Sequence, residues 1–111
     1  MPADRVVHAT GLATTDLEEL ADYFLRHAGR AVAVRFVEQA ERAFQQLVAT
    51  PGLGALLGLD ELPYEDIRRW HVGGFDRLMI LYRPTTDGIE VIRVLHTARH
   101  LPDVLRDETG A

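Results

Sequence analysis

Apolar residues recur every three or four positions through the first half of the chain, which predicts two amphipathic helices. The first begins at Thr15-Asp16-Leu17-Glu18, where Thr15 and Glu18 have the spacing of a capping box, and ends at Gly29. The second runs from near Ala31 to Ala49, before Thr50-Pro51-Gly52. Because only Gly29-Arg30 joins them, we expect an antiparallel helical hairpin. Its apolar positions are Leu17, Leu20, Ala21, Phe24 and Ala28, then Ala33, Phe36, Val37, Ala40, Phe44 and Leu47.

The second half of the chain changes to short apolar runs separated by turn residues, a pattern typical of a β-meander. Strands are predicted at Ile67 to Val72, Phe75 to Arg83 and Ile89 to His96. The segments Gly73-Gly74 and Thr86-Asp87-Gly88 are short enough for hairpins, so the three strands should be antiparallel neighbours.

Three further segments complete the predicted architecture. Arg5-Val6-Val7-His8-Ala9 is interpreted as a strand that adds to the later sheet. Residues 51–66 form a connecting loop, and its Leu-rich centre is expected to fold over the core, with cover by a partner as the alternative. Leu101 to Asp107 are expected to form a short C-terminal helix. We therefore predict one α+β domain over residues 1–111, with the hairpin packed on a small antiparallel sheet.

Alternation along the strands predicts two different sheet faces. The wholly apolar face should pack under the hairpin, which leaves a mixed, arginine-bearing face as the candidate binding surface. The middle strand divides into Leu78, Ile80 and Tyr82 on one face and Arg77, Met79, Leu81 and Arg83 on the other. The last strand divides into Ile92 and Val94 against Val91, Arg93 and Leu95.

The net charge of -5 is unevenly distributed. Residues 1–66 hold five arginines and eleven acidic residues, whereas residues 67–100 hold six arginines and three acidic residues. Six arginines on one meander, together with His71, His96 and His100, favour recognition of an anion or an acidic partner. Arginines that simply pair with neighbouring acids and cover apolar surface are an equally weighted alternative.

Composition excludes several kinds of chemistry. The chain has no Cys, which rules out disulfides, thiolate metal sites and a cysteine nucleophile. Every basic residue other than His is Arg, which rules out lysine catalysis and leaves guanidinium forks for anion contacts. There is no long apolar run and no signal-like N-terminus, so we expect a cytoplasmic protein.

His96 and Arg99, just after the last strand, are the best candidates for nucleic-acid cleavage. A single histidine at a strand end is nevertheless more often structural. His96 and His100 would need a helix to bind one metal ion, which Pro102 and the preceding strand disfavour. With no glycine-rich phosphate loop either, we expect no metal and no cofactor.

The order of strand, helical hairpin, loop and antiparallel meander resembles the RelE/ParE superfamily of bacterial toxins from toxin-antitoxin pairs. Five segments between about Val6 and Leu105 carry the resemblance. They are Asp16 to Tyr23, Pro51 to Gly54, Ile67 to Val72 with Phe75, Leu81 to Arg83, and Ile89 to Arg99.

The segment from Arg93 to Arg99 is more similar to the ParE branch, whose members poison DNA gyrase by binding, than to the RelE branch of ribosome-dependent mRNA endonucleases. RelE-type catalysis relies on lysines, arginines and a C-terminal tyrosine, and this chain has no Lys and no Tyr after Tyr82. The alternative is a YoeB-like endonuclease, for which Glu65, Arg83 and His96, with Arg99, offer a loose match. A third interpretation is a protein with the toxin fold but without toxicity.

The resemblance implies a ParD-like antitoxin, encoded by an adjacent gene, whose C-terminal segment forms a hetero-oligomer with the toxin. Such a segment offers an apolar helix and acidic residues, and we expect it along the hairpin and near the basic meander. The residues expected to contact the antitoxin are Leu20, Phe24, Arg77, Met79, Leu81, Arg83 and Arg93. Those expected to contact the target, which is gyrase or alternatively the ribosome, are His96, Arg99, His100, Leu101 and Leu105.

Overall fold

The computed structural model describes residues 5–58 and 64–96. Helices α1 (Gly11–Ala28) and α2 (Arg30–Ala49) pack on one face of a five-stranded sheet. The predicted α+β fold is confirmed, and its predicted helix at Leu101 to Asp107 lies outside the described residues. The strands are β1 (Val6–Ala9), β2 (Ala55–Leu56), β3 (Arg68–Val72), β4 (Phe75–Thr85) and β5 (Gly88–His96).

The strands lie in the order β1-β5-β4-β3-β2. The predicted meander of β3, β4 and β5 is confirmed, with antiparallel pairing throughout. β1 adds to the sheet as predicted and pairs in parallel with β5, so the sheet is mixed. The two residues of β2 pair with β3 from within the segment that was predicted to be only a loop.

The first helix begins five residues earlier than the sequence predicted. Thr10 is the N-cap, and its hydroxyl oxygen accepts a hydrogen bond from the amide of Ala13 at 3.0 Å. The capping-box spacing of Thr15 and Glu18 therefore falls inside the helix, and the predicted start at Thr15 is wrong. The actual cap lacks a glutamate three residues later, so its sequence signal is weaker.

Asp16 fastens α1 to the edge of β5. Its carboxylate accepts hydrogen bonds from Arg93 Nε at 2.7 Å, Arg93 Nη2 at 3.0 Å and the Val94 amide at 3.0 Å. Six residues before Asp16, the Thr10 hydroxyl donates to the carbonyl oxygen of Ile92 at 2.8 Å. The helix and its cap thus continue the edge pairing where β1 stops, and they satisfy groups of β5 that β1 does not reach.

The main core lies between the hairpin and the sheet. Both helices contribute small or apolar residues from their inner faces, and the three long strands contribute the face that was predicted to be wholly apolar. The fully buried side chains of this core include Phe36, Leu47, Val72, Ile80, Tyr82, Ile89 and Val91. Each large apolar side chain buried in this way contributes roughly 1.5–3 kcal/mol.

The opposite sheet face is covered by the segment that connects the hairpin to β3. Leu57, Tyr64 and Ile67 pack there, so the expected folding over a core is confirmed for Leu57 of the Leu-rich centre. Leu53 and Leu56 of the same segment stay 42% and 52% exposed. The second core beneath it consists of Met79, Leu81, Ile92 and Leu95.

A β-bulge changes the faces of β5. The pairing register with β4 shifts between Leu81 and Tyr82, because Leu81 lies opposite Arg93 and Tyr82 lies opposite Val91. Ile92 is the extra residue and packs on the covered face, whereas Val94 packs under the helices. The prediction that Ile92 and Val94 share a face is therefore wrong, since strict alternation does not allow for the inserted residue.

Tyr82 fixes the end of α2 to the sheet. Its hydroxyl donates to the Pro51 carbonyl oxygen at 2.7 Å and accepts from the Gly54 amide at 2.8 Å. A Cβ atom at Gly54 would lie 2.5 Å from the Arg69 carbonyl oxygen, so only glycine fits this approach of the loop to the sheet. Burial raises the pKa of the Tyr82 phenol above its ordinary value of 10.0, against smaller lowering effects of the Gly54 hydrogen bond and the Arg68 charge.

We expect Asp16→Ala to lower the free energy of unfolding by about 3 kcal/mol or more, because it leaves the buried Arg93 guanidinium without its carboxylate. Urea unfolding followed by circular dichroism measures the loss. The matched control is Asp22→Ala, which breaks the exposed ion pair with Arg26 on the same helix and should cost about 0.5 kcal/mol or less. Equal losses in the two variants would contradict the role given to Asp16.

We expect the stability of the wild type to fall as the pH rises above about 10, because the unfolded chain then ionises Tyr82 while the folded chain keeps the phenol neutral. The free energy of unfolding of Tyr82→Phe at pH 8 should be about 1 kcal/mol lower than that of the wild type, since two hydrogen bonds are lost. As the pH rises further, it should fall less steeply than that of the wild type. Urea unfolding at a series of pH values measures both effects. The matched control is Tyr23→Phe, which changes an exposed tyrosine, leaves Tyr82 in place and should therefore keep the decline due to Tyr82. A parallel decline of Tyr82→Phe and wild type would exclude this origin.

Candidate functional site

A cleft of about 540 Å³ opens between α1 and the first residues of β4. Leu20 and Phe24 line it from α1, where they are one helical turn apart and so share a face. β4 contributes residues Phe75 to Leu78, and β5 contributes His96, which lies opposite Leu78 in the strand register. The helix and both strands are held in place by the main core, so the cleft is built on rigid elements.

Aromatic rings form the floor of this cleft. The ring centroids of Phe24 and Phe75 lie 5.2 Å apart, and each also packs on the fully buried Phe36, at 5.3 Å and 5.7 Å. The Arg35 guanidinium lies 5.7 Å from the Phe75 ring centroid, on the solvent side. Tilted and edge-on contacts of this kind favour a fixed arrangement of rings.

The rim of the cleft is exposed and polar. Tyr23 is 55% exposed and packs edge-on against Phe24 with centroids 5.6 Å apart. Asp76, Arg77 and His96 are also exposed there. An apolar floor with a guanidinium and an imidazole at its rim suits a partner that inserts an apolar side chain and places a carboxylate beside it.

The structure brings four of the predicted contact residues together in this cleft: Leu20, Phe24, Arg77 and His96. The other predicted contact residues that the structure describes lie away from the cleft. Met79 and Leu81 are 4% and 0% exposed beneath Tyr64 and Ile67, so the mixed sheet face expected to be the binding surface is covered by the chain itself.

Both remaining arginines of the predicted set have partners within the chain. The Arg93 side chain is 8% exposed and is held by Asp16. Arg83 is 28% exposed, with Nε 3.4 Å from an Asp66 oxygen and Nη1 3.9 Å from a Glu90 oxygen. Both arginines therefore pair with acids of the chain. The Glu90 partner of Arg83 is a neighbour of the kind that the alternative expected, whereas Arg93 pairs with Asp16, which lies 77 residues away in sequence.

Arg83 and His96 do not form a common site. His96 lies opposite Leu78, and Arg83 is five positions further along β4, which corresponds to about 16 Å. The two residues also lie on different sheet faces, since Leu78 packs under the helices and Arg83 has the parity of the covered face. Glu65 is exposed in the covering segment, and Arg99, His100, Leu101 and Leu105 lie outside the described residues.

Sequence reasoning missed Tyr23, Phe75 and Leu78 as members of the cleft. Tyr23 directly precedes Phe24 and falls off the apolar stripe of α1, and Phe75 was assigned only to the start of a strand. Three of the four phenylalanines of the chain meet at the cleft floor, but they lie far apart in sequence. Periodicity along the sequence does not say which distant side chains pack on each other. It therefore could not place these three rings in one cluster.

The sequence matches the profile of a known family over residues 7–101, and that family is described as the ParE toxin of type II toxin-antitoxin system, parDE. The chain belongs to the ParE toxin family. The predicted assignment to the RelE/ParE superfamily and to its ParE branch is thereby confirmed.

The fold of this ParE-family chain is similar to that of a chain from the chromosomal ParDE TA system from P. aeruginosa. The TM-score is 0.67 and the sequence identity 18%, over 84% of this chain and 96% of that chain. At this identity the similarity concerns the fold alone. Among curated proteins, none matches the sequence.

Within the described residues, neither helix is long and apolar enough to cross a membrane. The same part of the chain contains no group of three or more His, Cys, Asp or Glu side chains arranged to hold a metal ion.

Proposed function

We propose that this ParE-family toxin inhibits DNA gyrase by binding, in the cytoplasm, and that a ParD-like antitoxin neutralises it. Binding in place of catalysis is supported by the separation of Arg83 from His96, since an endonuclease needs its acid, base and phosphate-stabilising groups within reach of one bond. The family match supports the gyrase-directed branch over the ribosome-directed one.

The observation that carries the antitoxin proposal is the cleft between α1 and β4. It combines an aromatic floor with exposed Arg77 and His96, and it lies along the hairpin and beside the meander. An amphipathic antitoxin segment would insert an apolar side chain against Phe24 and Phe75 and direct an acidic residue to the rim. A few buried aromatic contacts of this kind usually dominate the affinity of an interface.

The target surface is proposed to begin at His96 and to continue through Arg99, His100, Leu101 and Leu105. His96 lines the same cleft that we assign to the antitoxin. An antitoxin seated there would cover the start of the target surface, so neutralisation would follow from steric exclusion.

We expect Tyr23→Ala and Arg77→Glu each to weaken binding of the cognate antitoxin by tenfold or more, because both remove rim contacts without opening the core. Calorimetric titration of the antitoxin's C-terminal peptide into the refolded toxin measures the dissociation constant. The matched controls are Leu56→Ala, whose 52% exposure is close to the 55% of Tyr23, and Arg42→Glu, an exposed arginine away from the cleft. Controls that weaken binding as much as the cleft variants would exclude the cleft as the antitoxin site.

We expect the purified toxin, incubated with gyrase, ATP and plasmid, to suppress supercoiling and to leave linear DNA after detergent and protease treatment. His96→Ala should reduce the effect only in part, because a binding surface spreads its free energy over several residues. Pre-incubation with antitoxin should abolish the effect. If gyrase is unaffected by a large excess of folded toxin, the proposal fails, and cleavage of ribosome-bound mRNA becomes the activity to test.

A further inference from the structure

Five arginines of the described chain already have partners within it, which are either carboxylates or backbone carbonyl oxygens. They are Arg5, Arg26, Arg68, Arg83 and Arg93. Arg35 and Arg42 of α2 are different, because both side chains are exposed and neither forms an ion pair with an acid of the described residues. Their positive charge is therefore available to a partner outside the chain.

Arg35 and Arg42 lie on one face of α2 together with two glutamines. The face consists of Arg35, Gln39, Arg42 and Gln46, at spacings of four, three and four residues, so the side chains leave the helix on the same side. The acids Glu38 and Glu41 flank this face and line the apolar groove between α1 and α2, with Leu25 and Val37. Arg42 borders both regions, since it also lines a pocket with these two glutamates beside β1. The face itself carries guanidinium and amide groups and no carboxylate.

A small cleft of about 260 Å³ lies between this face and β3. Two residues of β3, Arg68 and Arg69, pair with β2, so the strand residues after them are open at this edge of the described sheet. The cleft is lined by Gln39, Arg42 and Gln46 of the helix and by Trp70, His71 and Gly73, and no acid of the described residues lines it. The helix face and this cleft together form what we call the α2–β3 surface.

The two sides of the α2–β3 surface are held together closely. A Cβ atom at Gly73 would lie 2.9 Å from Gln39 Oε1, so the turn after β3 packs directly on the helix face. At the start of the face, the Arg35 guanidinium lies 5.7 Å from the centroid of the Phe75 ring. The surface therefore continues to the aromatic floor of the cleft between α1 and β4.

The groups on the α2–β3 surface are those that proteins use to bind phosphate oxygens, namely guanidinium and side-chain amide donors. Arg35 and Arg42 are seven residues apart, which places them about 10 Å apart along the helix axis. About three base pairs of duplex DNA rise by the same distance. Each arginine can therefore reach a phosphate of the same strand while α2 lies along the DNA backbone. This match favours a nucleic-acid backbone over an acidic peptide, whose carboxylates need not repeat at this distance.

We propose that the α2–β3 surface binds the phosphate backbone of duplex DNA, with Arg35 and Arg42 on two phosphates of one strand. The source of this DNA rests on the proposed inhibition of gyrase, since it is the duplex that gyrase holds. The net charge of -5 opposes binding of DNA to the free chain, so that binding is weak. Gyrase offsets this by holding a duplex beside the bound toxin, which raises the local concentration of DNA.

Nuclear magnetic resonance of the isotope-labelled full chain, titrated with a short mixed-sequence DNA duplex, tests this proposal and detects weak binding. Trp70 is the only tryptophan of the chain and lines the cleft, so its indole N–H signal reports on this surface directly. We expect this signal and the side-chain amide signals of Gln39 and Gln46 to shift, with a dissociation constant of about 0.1–1 mM at about 50 mM salt. Two phosphate contacts should raise that constant about tenfold at about 200 mM salt.

Arg42→Gln removes one of the two phosphate contacts. It should raise the dissociation constant about threefold or more at about 50 mM salt, and it should reduce the further rise at about 200 mM salt to about threefold. The matched control is Arg30→Gln, which removes the same charge from an exposed arginine of the same helix, outside the surface. It should leave the dissociation constant within about twofold of wild type. Circular dichroism of each variant verifies that the helices remain folded.

Two results of the titration would overturn the proposal. The first is an indole signal of Trp70 that does not move at millimolar duplex, or an equal loss of binding in Arg42→Gln and Arg30→Gln. The second is a polyglutamate peptide of equal charge that shifts the same signals at lower concentration than the duplex, which would assign the surface to an acidic protein.

The gyrase reaction tests the source of the DNA. The double variant Arg35→Gln with Arg42→Gln should need about three times more toxin than Arg30→Gln to leave the same amount of linear DNA. Equal potency of these two proteins would overturn the DNA contact and leave gyrase inhibition in place. The duplex titration contains no gyrase, so a failure of the proposed function is seen separately, as wild-type toxin that leaves supercoiling unaffected. That result would overturn gyrase as the source of the DNA.

Discussion

The carboxylate of Asp16, a half-buried residue, makes the contact on which the arrangement of helices and sheet depends. It binds the Arg93 side chain and the Val94 amide together, at distances of 2.7–3.0 Å, and so joins α1 to β5 across 77 residues of sequence. A charge-assisted, bidentate pair of this kind fixes direction as well as distance. Because α1 is held at this point, its later residues Leu20 and Phe24 reach the start of β4 and enclose the cleft.

The surface available to partners is determined by what the chain has already covered. One sheet face lies under the hairpin, and the other lies under Leu57, Tyr64 and Ile67, so β4 offers partners its first residues and not its centre. Two apolar grooves in the described part of the chain both involve α1, because its successive residues point to different sides of the helix. A small protein can in this way present two separate surfaces from one secondary-structure element.

Much of the fold could be predicted because the decisive signals are local. Helical spacing identified both helices, and turn residues such as Gly73-Gly74 identified the meander. The errors have specific physical causes. Thr10, which belongs to no capping box, caps α1 in place of Thr15, and a single bulged residue, Ile92, places Val91 and Ile92 on the opposite faces to those expected. The cleft could be predicted only in part, since Leu20, Phe24, Arg77 and His96 were named without knowledge that they meet. Met79, Leu81 and Arg93 have the sequence pattern of a mixed face, and only the three-dimensional packing shows that they are buried.

The shortness of the outer strands also has a consequence for the behaviour of the chain in solution. β1 contributes four residues and β2 two, and beyond β1 the Ile92 carbonyl and the Val94 amide are already bonded to side chains of α1 and its cap. Long unpaired strand edges are templates for aggregation between molecules. This sheet offers little such template in its described part, which disfavours strand-to-strand polymerisation of the chain.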